Sequence, residues 1–502
     1  MRSLRAVQHG TRYPRWFATA AAGVLGILAL ALVSLLVAEV SATPAQLEVI
    51  QPVVVIITIC ALVAWILACR PDVDLFSEIG FVYLAMAFAY AVVPAVKFVA
   101  MNVRIPVDYD NLNFAALSPS PYQVGVHYWR HVLFFSGLAV GFLAVRLQPM
   151  RPPVALRARG YQSRRTIAIL AATIVGCAAL EALLSAPVST YIEHYTRFDH
   201  LPWSLRRLAG LAAIIRSGGY FVLLALMFSD YPKYRWFIFI VAPVLCAYEI
   251  WYSLGSRIVG ATIVLAVFAF YNLRVRPVPL RRGVVVMGFL AVAFTAVGLV
   301  RSSGGDLGAA LQRVSEREAP RADEFDAVFA TSFHIYSERD RGTLPHRNWW
   351  MFAHEFIAVV PFVDHTTDNP QFWYARHYYP DAPVPPTTMG VIAESGLWGG
   401  ELDLFVRSLI NGALFAGLTR WFLRRRQAWW ALTVYVYCYA NCILTLKYSV
   451  LYLAPPLLRV VLPTMLLTWL LLWWENGLPR IRLVGRGRRV QRGPSLEGAN
   501  GR

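Results

Sequence analysis

Long apolar runs separated by short polar turns occupy most of the chain. A helix needs about 20 apolar residues to cross the hydrocarbon core of a bilayer. Twelve runs approach this length, so the pattern predicts twelve transmembrane helices. The first run is about 24 residues long, and no small-residue cleavage site follows it, so we predict a retained helix rather than a signal peptide. The predicted spans lie near 16–40, 49–69, 75–100, 124–146, 166–188, 208–229, 235–253, 257–273, 283–300, 402–423, 428–446 and 457–475.

One long segment interrupts the apolar pattern. Residues 301 to about 390 are polar, charged and rich in aromatic side chains, and the apolar runs resume only after them. The sequence therefore predicts an all-α polytopic membrane protein with one dominant loop. Its predicted parts are a membrane region of about nine helices over 1–300, a large loop over 301–400, about three helices over 401–476 and a basic tail over 477–502.

The composition agrees with this class of protein. Hydrophobic residues make up 57% of the chain, charged residues only 15%, and the mean hydropathy is +0.50. A soluble protein of this composition would expose far too much apolar surface to water. The composition thus excludes an ordinary soluble globular protein.

Basic residues predict how the chain is oriented. If the N-terminus is cytoplasmic, the inward segments hold 28 of the 47 Lys and Arg residues, as the positive-inside bias expects. This places both termini in the cytoplasm and the large loop outside. The inward segments are the two tails and the turns at 70–74, 146–165, 229–235, 274–282 and 420–426.

The net charge of +18 suggests a lipid surface rather than a nucleic acid. The basic C-terminal tail directly follows a predicted span, where anionic lipid headgroups attract Lys and Arg. No RNA-binding or DNA-binding motif accompanies the charge. We therefore expect membrane lipids as partners and no nucleic acid.

The cysteines predict neither disulfides nor a metal site. All six lie in or at the edge of apolar runs, outside the large loop. Cys438 and Cys442 share a helical face, but no His or carboxylate accompanies them to complete a zinc site. We expect no metal ligands and no cofactor.

Ionisable residues within the predicted spans are more informative. An arginine near the bilayer centre costs about 2.5–3.5 kcal/mol, so such a residue usually pairs or lines a wet cavity. Most of the cations lie towards the outer half, where snorkelling to headgroups is the simpler explanation. A cluster of guanidinium groups there would suit a lipid-linked phosphate, because arginine can hold two phosphate oxygens at once. The residues are Arg130, His131, Glu181, Arg216, Glu249, Arg257, Arg301, Arg407, Lys447 and Arg459.

The large loop has the side chains of a carbohydrate site. Flat aromatic rings can stack on sugars while their N–H and O–H groups form hydrogen bonds. The alternative is an aromatic belt that anchors the loop in the membrane interface. The predicted sugar-binding residues are Trp349, Trp350, Trp373 and Tyr378.

Two passages of the sequence resemble a known family. Pro385 to Gly400 reads Pro-Pro-Thr-Thr-Met-Gly, then Glu394, then Gly-Leu-Trp-Gly-Gly at the entry to an apolar run. This resembles a passage of the oligosaccharide repeat-unit polymerases, the Wzy-type O-antigen polymerases. Gly255-Ser256-Arg257 is similar to the Gly-x-Arg that these proteins carry before their large periplasmic loop. Twelve or so spans with one late outward loop agree with the same family, whose fold is glycosyltransferase-C-like.

The resemblance implies a reaction and roles for individual residues. Such enzymes transfer a growing glycan from undecaprenyl pyrophosphate to another lipid-linked repeat unit, outside the bacterial cytoplasmic (inner) membrane. The product would be an O-antigen, a capsule or an exopolysaccharide, and a chain-length regulator would be a natural partner. Glu394, His354 and His377 are the catalytic candidates, because the reaction needs a base, or at least an oriented acceptor, to deprotonate the attacking hydroxyl. The candidates for binding the donor pyrophosphate are Arg257, Arg301, Arg339, Arg376 and Arg407.

Three alternatives remain open at this stage. Glu394 could simply favour a helix start, because a carboxylate interacts well with the positive end of the helix dipole. An O-antigen ligase would use the same donor but transfer the glycan to a lipid A core. Ligases usually carry a histidine in the large loop, and this chain has five from His334 to His377. A flippase or transporter of lipid-linked oligosaccharides is the alternative from another class, although the predicted inner halves of the helices are nearly free of charge.

Overall fold

The apolar runs of the sequence form helices in the computed structural model. The structure describes residues 12–69, 76–101, 121–145, 164–186, 198, 200–252, 257–279, 281–283, 285, 288, 324–347, 351, 370–378, 389–447 and 453–476. Every regular element among them is helical. The helices are α1 (Arg12–Ser41), α2 (Pro44–Ala68), α3 (Ile79–Met101), α4 (Pro121–Ala144), α5 (Arg164–Leu184), α6 (Trp203–Ser229), α7 (Tyr231–Tyr252), α8 (Arg257–Arg274), α9 (Glu324–Asp340), α10 (Pro370–Tyr378), α11 (Val391–Leu397), α12 (Glu401–Arg425), α13 (Trp429–Asn441), α14 (Leu444–Lys447), α15 (Ala454–Pro456) and, after a π-helical turn at Leu457–Val461, α16 (Leu462–Asn476).

Seven helical segments within the described residues are long and apolar enough to cross a membrane, so the chain has the features of an α-helical, multi-pass membrane protein. Helices also occupy most of the other predicted spans, but α4, α7, α8 and α13 are not among the seven. The predicted span at 283–300 falls largely outside the described residues, and the total of twelve stays a prediction. The seven segments are Thr19–Ser41, Val49–Ala68, Ile79–Val96, Arg164–Leu184, Trp203–Ser229, Glu401–Arg425 and Leu457–Glu475.

Helices α4 and α12 make the most extensive contact of any pair of helices that the structure describes. Gly137 and Gly141 on α4 face the backbone of α12, and Gly412 on α12 faces the backbone carbonyl of Leu138. A Cβ atom at any of the three glycines would collide with the opposite helix. Small residues spaced four apart allow such close backbone approach in membranes. This contact fixes the relative height of α4 and α12, and therefore of the polar residues at their ends.

The segment predicted as a large outward loop contains a buried helix. Helix α9 packs on α3, α4 and α11, and its side chains Phe329, Phe333 and Tyr336 are at most 2% exposed. Its apolar residues recur every three or four positions, which is the spacing of an amphipathic helix. The region that we predicted as a loop therefore adds a helix to the bundle, and this helix brings its polar end to α4 and α12.

A buried ion pair holds α5 against α6. Arg216 on α6 donates from Nε to Oε1 of Glu181 at 2.7 Å and from Nη2 to Oε2 at 3.2 Å. Its Nη1 contacts Glu249 on α7. All three residues are at most 6% exposed. The expectation that charged residues within spans pair with one another is met here, since one guanidinium serves two carboxylates.

Candidate functional site

Glu394 lies on a short helix that ends in a glycine-rich turn. All seven residues of α11 are buried, and Trp398, Gly399 and Gly400 connect it to α12. Gly400 has a φ of 66°, in the left-handed region that favours glycine, and its N–H donates to the carbonyl of Ser395 at 2.7 Å. The glycines of the sequence thus permit an abrupt turn, which places Glu394 close to the first turns of α12.

Arg407 holds the Glu394 carboxylate in place. Its Nη1 donates to Oε2 of Glu394 at 3.3 Å, and its Nε donates to Oδ2 of Asp403, one turn earlier on α12, at 2.6 Å. Glu394 is 3% exposed, so its carboxylate is covered by the surrounding residues. The carboxylate is paired with an arginine side chain, which gives it a fixed orientation.

Arg339 braces the turn itself. It lies in the last turn of α9, and its Nη1 donates to the carbonyls of Gly396 at 2.9 Å and Trp398 at 3.0 Å. Its guanidinium also lies where a Cβ atom on Gly400 would contact it. Carbonyls at the end of a short helix lack partners within the helix, and Arg339 supplies two of the missing donors.

Arg130 joins the ends of three helices. From α4 its Nε donates to Glu401 Oε1 and its Nη2 to Asp340 Oδ2, both at 3.0 Å, and its guanidinium lies 3.8 Å from the centre of the Tyr336 ring. The arginine side chain is 8% exposed, whereas both carboxylates are 55% exposed. Arg130 thus fixes the approach of α9 to the start of α12. The sequence singles out this residue only as a charge within a predicted span.

Arg347 is a site residue that the sequence does not reveal. Its Nη1 is buried and has no hydrogen-bond partner. Burial lowers the pKa of Arg347, and the positive charge of nearby Arg339 lowers it further. A negatively charged group beside these two guanidinium groups would offset both effects. No motif surrounds Arg347, so only the folded chain brings it to Arg339.

Helix α10 stands beside these residues on a small second core. Trp373 and Tyr374 of α10 pack with Ile335 of α9 and with Ala393 and Leu397 of α11. Trp373 is only 7% exposed, so its ring supports the packing of α10 instead of presenting a face for a sugar. The exposed residues Arg376 and His377 lie on the same helix, and His377 Nδ1 is 2.9 Å from the carbonyl of Trp373.

His334 of α9 pairs with tyrosines of α10. The Tyr374 hydroxyl lies 2.6 Å from His334 Nδ1, and the Tyr378 ring meets the imidazole edge to face at 4.5 Å. Burial lowers the pKa of His334 to about 4, so the ring is neutral at pH 7 and shares a neutral hydrogen bond with the Tyr374 hydroxyl. Burial also raises the pKa of Tyr378 to about 12. Its hydroxyl is buried without a hydrogen-bond partner.

The predicted site residues divide into two groups. The structure brings Glu394, Arg339 and Arg407 to the junction of α11 and α12, with α10 packed beside it. Arg301, His354, Trp349 and Trp350 lie outside the described residues, as does the side chain of Arg257. No cluster of three or more His, Cys, Asp or Glu side chains that could hold a metal occurs in the described part of the chain.

Comparison of the chain with protein family profiles, with curated proteins and with solved structures found no match.

Proposed function

We propose that the chain is a membrane-embedded glycosyltransferase that polymerises undecaprenyl-pyrophosphate-linked oligosaccharide repeat units on the outer side of a bacterial cytoplasmic membrane. The observation that carries the proposal is the ion pair of Glu394 and Arg407. The pair holds the buried Glu394 carboxylate in a fixed orientation, at the point where the polar segment meets a helix long enough to span a membrane. The resemblance of 385–400 to the polymerase family supports the same reaction.

Glu394 is the group that we assign to the acceptor sugar. Its carboxylate would accept a hydrogen bond from the attacking hydroxyl and take its proton as the new glycosidic bond forms. In the same step the bond from the donor sugar to the pyrophosphate breaks, and the polyprenyl pyrophosphate leaves with the bonding electrons. Arg407 serves as a positioning residue, because its Nε and Nη1 donate to carboxylates of this chain.

Arg347 and Arg339 are the cations that we assign to the leaving pyrophosphate. Charge that develops on a leaving group is stabilised most by donors already in place where water is excluded. Nη1 of Arg347 is a buried donor without an acceptor. Arg339 lies close by, where it binds the carbonyls of the turn between α11 and α12. Arg376 on the exposed side of α10 extends this positive surface towards solvent.

The ligase is the second candidate function, and the histidines of α9 and α10 favour it. His334 and His377 stand on the two helices that pack against α11, so an imidazole could assist transfer to a different acceptor. The two functions share a donor and differ in the product that accumulates when the protein is lost.

The test is the glycan ladder of cells that lack the gene, with and without plasmid-borne variants. Loss of polymer with a single repeat unit on the acceptor lipid identifies a polymerase, whereas polymer that accumulates on undecaprenyl pyrophosphate identifies a ligase. Lipid-linked repeat units trapped inside the cell would identify a flippase and overturn the proposal.

The variant Glu394→Gln keeps the shape of the side chain but removes the base. We expect polymer formation to fall about a hundredfold or more with normal protein levels. Glu338→Gln is the matched control, since Glu338 bonds to Thr343 at the end of α9 and not to the arginines of the site. Polymer at the normal rate from Glu394→Gln would show that the carboxylate only stabilises the start of α12.

A further inference from the structure

Tyr336 on α9 has a buried hydroxyl group without a hydrogen-bond partner. The whole residue is 0% exposed. Buried tyrosine hydroxyls usually find a partner, because a donor that loses water and gains no acceptor costs stability. Phenylalanine would fill the same space without this cost. An acceptor oxygen from another molecule would offset the cost.

Two contacts hold the Tyr336 ring in place. The guanidinium of Arg130 lies 3.8 Å from the centre of the ring, within the range of a cation–π contact. On the α11 side, a Cβ atom on Gly396 would lie 2.9 Å from Cδ2 of the ring, so the ring packs directly against the backbone there. The hydroxyl is therefore carried by a ring with little freedom, and little conformational entropy is lost when a ligand binds to it.

Arg130 also holds two carboxylates at the surface. Its Nη2 lies 3.0 Å from Oδ2 of Asp340 and 3.0 Å from Oε1 of Glu401, so these two oxygens are no further apart than twice that distance. Both acidic side chains are 55% exposed. An ionised carboxylate can accept about four hydrogen bonds, so both acids keep acceptors for a ligand from solution. One arginine thus orients two exposed acceptor groups and covers the ring that carries the buried donor.

We propose that Tyr336, Asp340 and Glu401 form a binding site for a neutral sugar. Hydroxyl groups of the sugar donate to the two carboxylates, and one sugar oxygen accepts a hydrogen bond from the Tyr336 hydroxyl. Arg130 is the positioning residue of the site. Because the Tyr336 hydroxyl is covered in the free protein, a neighbouring side chain turns aside on binding, and the half-exposed acids have the room to do so.

The charges of the site favour a neutral ligand. Two carboxylates that share one arginine repel a phosphate. A metal ion would lie beside the guanidinium that binds both acids, and the described part of the chain has no group of three or more side chains that could hold a metal. A sugar carries no charge, and its hydroxyl groups both donate to carboxylates and accept from tyrosine.

The position of the site links it to the proposed reaction. Glu401 begins α12, and Asp403 in the same turn binds Arg407, which holds Glu394. A sugar at this site would therefore lie at the same junction as the proposed base. The assignment of the sugar to the lipid-linked repeat unit rests on the proposed function, whereas sugar binding itself does not.

The experiment measures binding of the purified full-length protein to an array of immobilised neutral oligosaccharides, with sulfated oligosaccharides as the anionic control. We expect wild-type protein to bind neutral members of the array. Tyr336→Phe should weaken this binding about fivefold, the effect of losing one hydrogen bond. Asp340→Asn should weaken it about tenfold, because a hydrogen bond to a charged group is lost. Glu338→Gln removes an acid from the same helix that binds Thr343 instead, so it should leave affinity unchanged.

Thermal stability without sugar gives a second measurement. Tyr336→Phe should unfold at the wild-type temperature or above it, because no hydrogen bond of the free protein is lost. Tyr435→Phe is the matched control, since its hydroxyl donates to the carbonyl of Ser77 at 2.7 Å and its loss should lower the unfolding temperature. An equal loss in both variants would overturn the proposal, because the Tyr336 hydroxyl would then have a partner in the free protein.

The binding data can overturn the proposal in three further ways. These are the absence of binding to any neutral oligosaccharide, equal affinity in wild type, Tyr336→Phe and Asp340→Asn, and binding that requires added Ca²⁺, which would assign the acids to a metal. The proposed function fails separately. Sugar binding through these residues, in a protein whose loss leaves the glycan ladder unchanged, would support the site and overturn the polymerase. Loss of the ladder with unchanged affinity in the variants would do the reverse.

Discussion

At its start, α12 presents Glu401 and Asp403 to arginines. Towards its end it presents Arg420, Arg424 and Arg425, and the chain from Leu404 to Trp474 contains no acid. At the first end, Arg130 and Arg407 each bind two carboxylates of the same chain, whereas Arg347 has a buried Nη1 without a hydrogen-bond partner. On the side predicted to be cytoplasmic, Arg274 at the end of α8 has two buried donors without an acceptor. The comparison shows that arginines of this chain either orient acidic groups of the protein or have buried donors without an acceptor.

The strongest test of this comparison asks whether the two ends lie on opposite sides of a membrane. His346 follows α9 and Gln427 follows α12, and both are exposed. We expect a cysteine at 346 to react with a membrane-impermeant thiol reagent in intact spheroplasts, and a cysteine at 427 to react only after the membrane is opened. Labelling of both positions in sealed cells would contradict the predicted orientation.

The second prediction concerns the contact that sets the height of α4 against α12. Gly141→Ala places a methyl group against the backbone of α12, so we expect a loss of about 3 kcal/mol of stability and reduced protein in the membrane. Gly417→Ala is the matched control, since no atom lies within 4 Å of the added methyl group. Thermal unfolding in detergent measures the stability of both variants. Equal unfolding midpoints would show that a methyl group at Gly141 costs no stability.

The third prediction separates the arginines of the two ends by their chemistry. Arg407→Lys keeps the charge but cannot hold Glu394 and Asp403 with separate planar donors. We expect the rate of polymer formation to fall about tenfold. The same change at exposed Arg420, further along α12, should leave the rate unaltered. A similar rate of polymer formation in both variants would show that only the charge of Arg407 matters and that its planar donors do not.

The smallest expected effect is a pH dependence at the first end. Because burial lowers the pKa of His334 from its usual 6.5 to about 4, the unfolded chain binds a proton there at higher pH than the folded chain. The contribution of this residue is complete above about pH 6.5 and is lost as the pH falls towards 4. We expect less stability at pH 5 than at pH 7.5, by at most about 2 kcal/mol. Thermal melts should show that stability depends less on pH in His334→Gln than in the wild type. The exposed control His346→Gln should behave like the wild type.

Features that depend on neighbours along the chain can be predicted from the sequence. The turn at Gly396 to Gly400 marks the entry to α12, and the pairing of Asp403 with Arg407 follows from their spacing of four residues. The spacing of Phe325, Phe329 and Phe333 is also typical of a helix with one apolar face, and this helix lies within the segment that we predicted as a large outward loop.

The rest of the site depends on contacts between residues that are distant in sequence. Arg130 meets Glu401 across 271 positions, and no local pattern predicts that pairing. Arg347 is close to Arg339 along the chain, but only the folded structure reveals that its Nη1 is buried without a hydrogen-bond partner. Burial also removes Trp373 from consideration as an open sugar platform, which its residue type alone cannot reveal.

The glycine contact between α4 and α12 also has a consequence for biogenesis. A ribosome that adds 5–20 residues per second needs roughly 14 to 54 s to make the 271 positions that separate Arg130 from Glu401. During that interval α4 waits in the translocon or the lipid with its small-residue face uncovered and its arginine without Glu401. We therefore expect a nascent chain that stalls in this interval to keep this glycine face uncovered, and Arg130 without Glu401, until α12 is made.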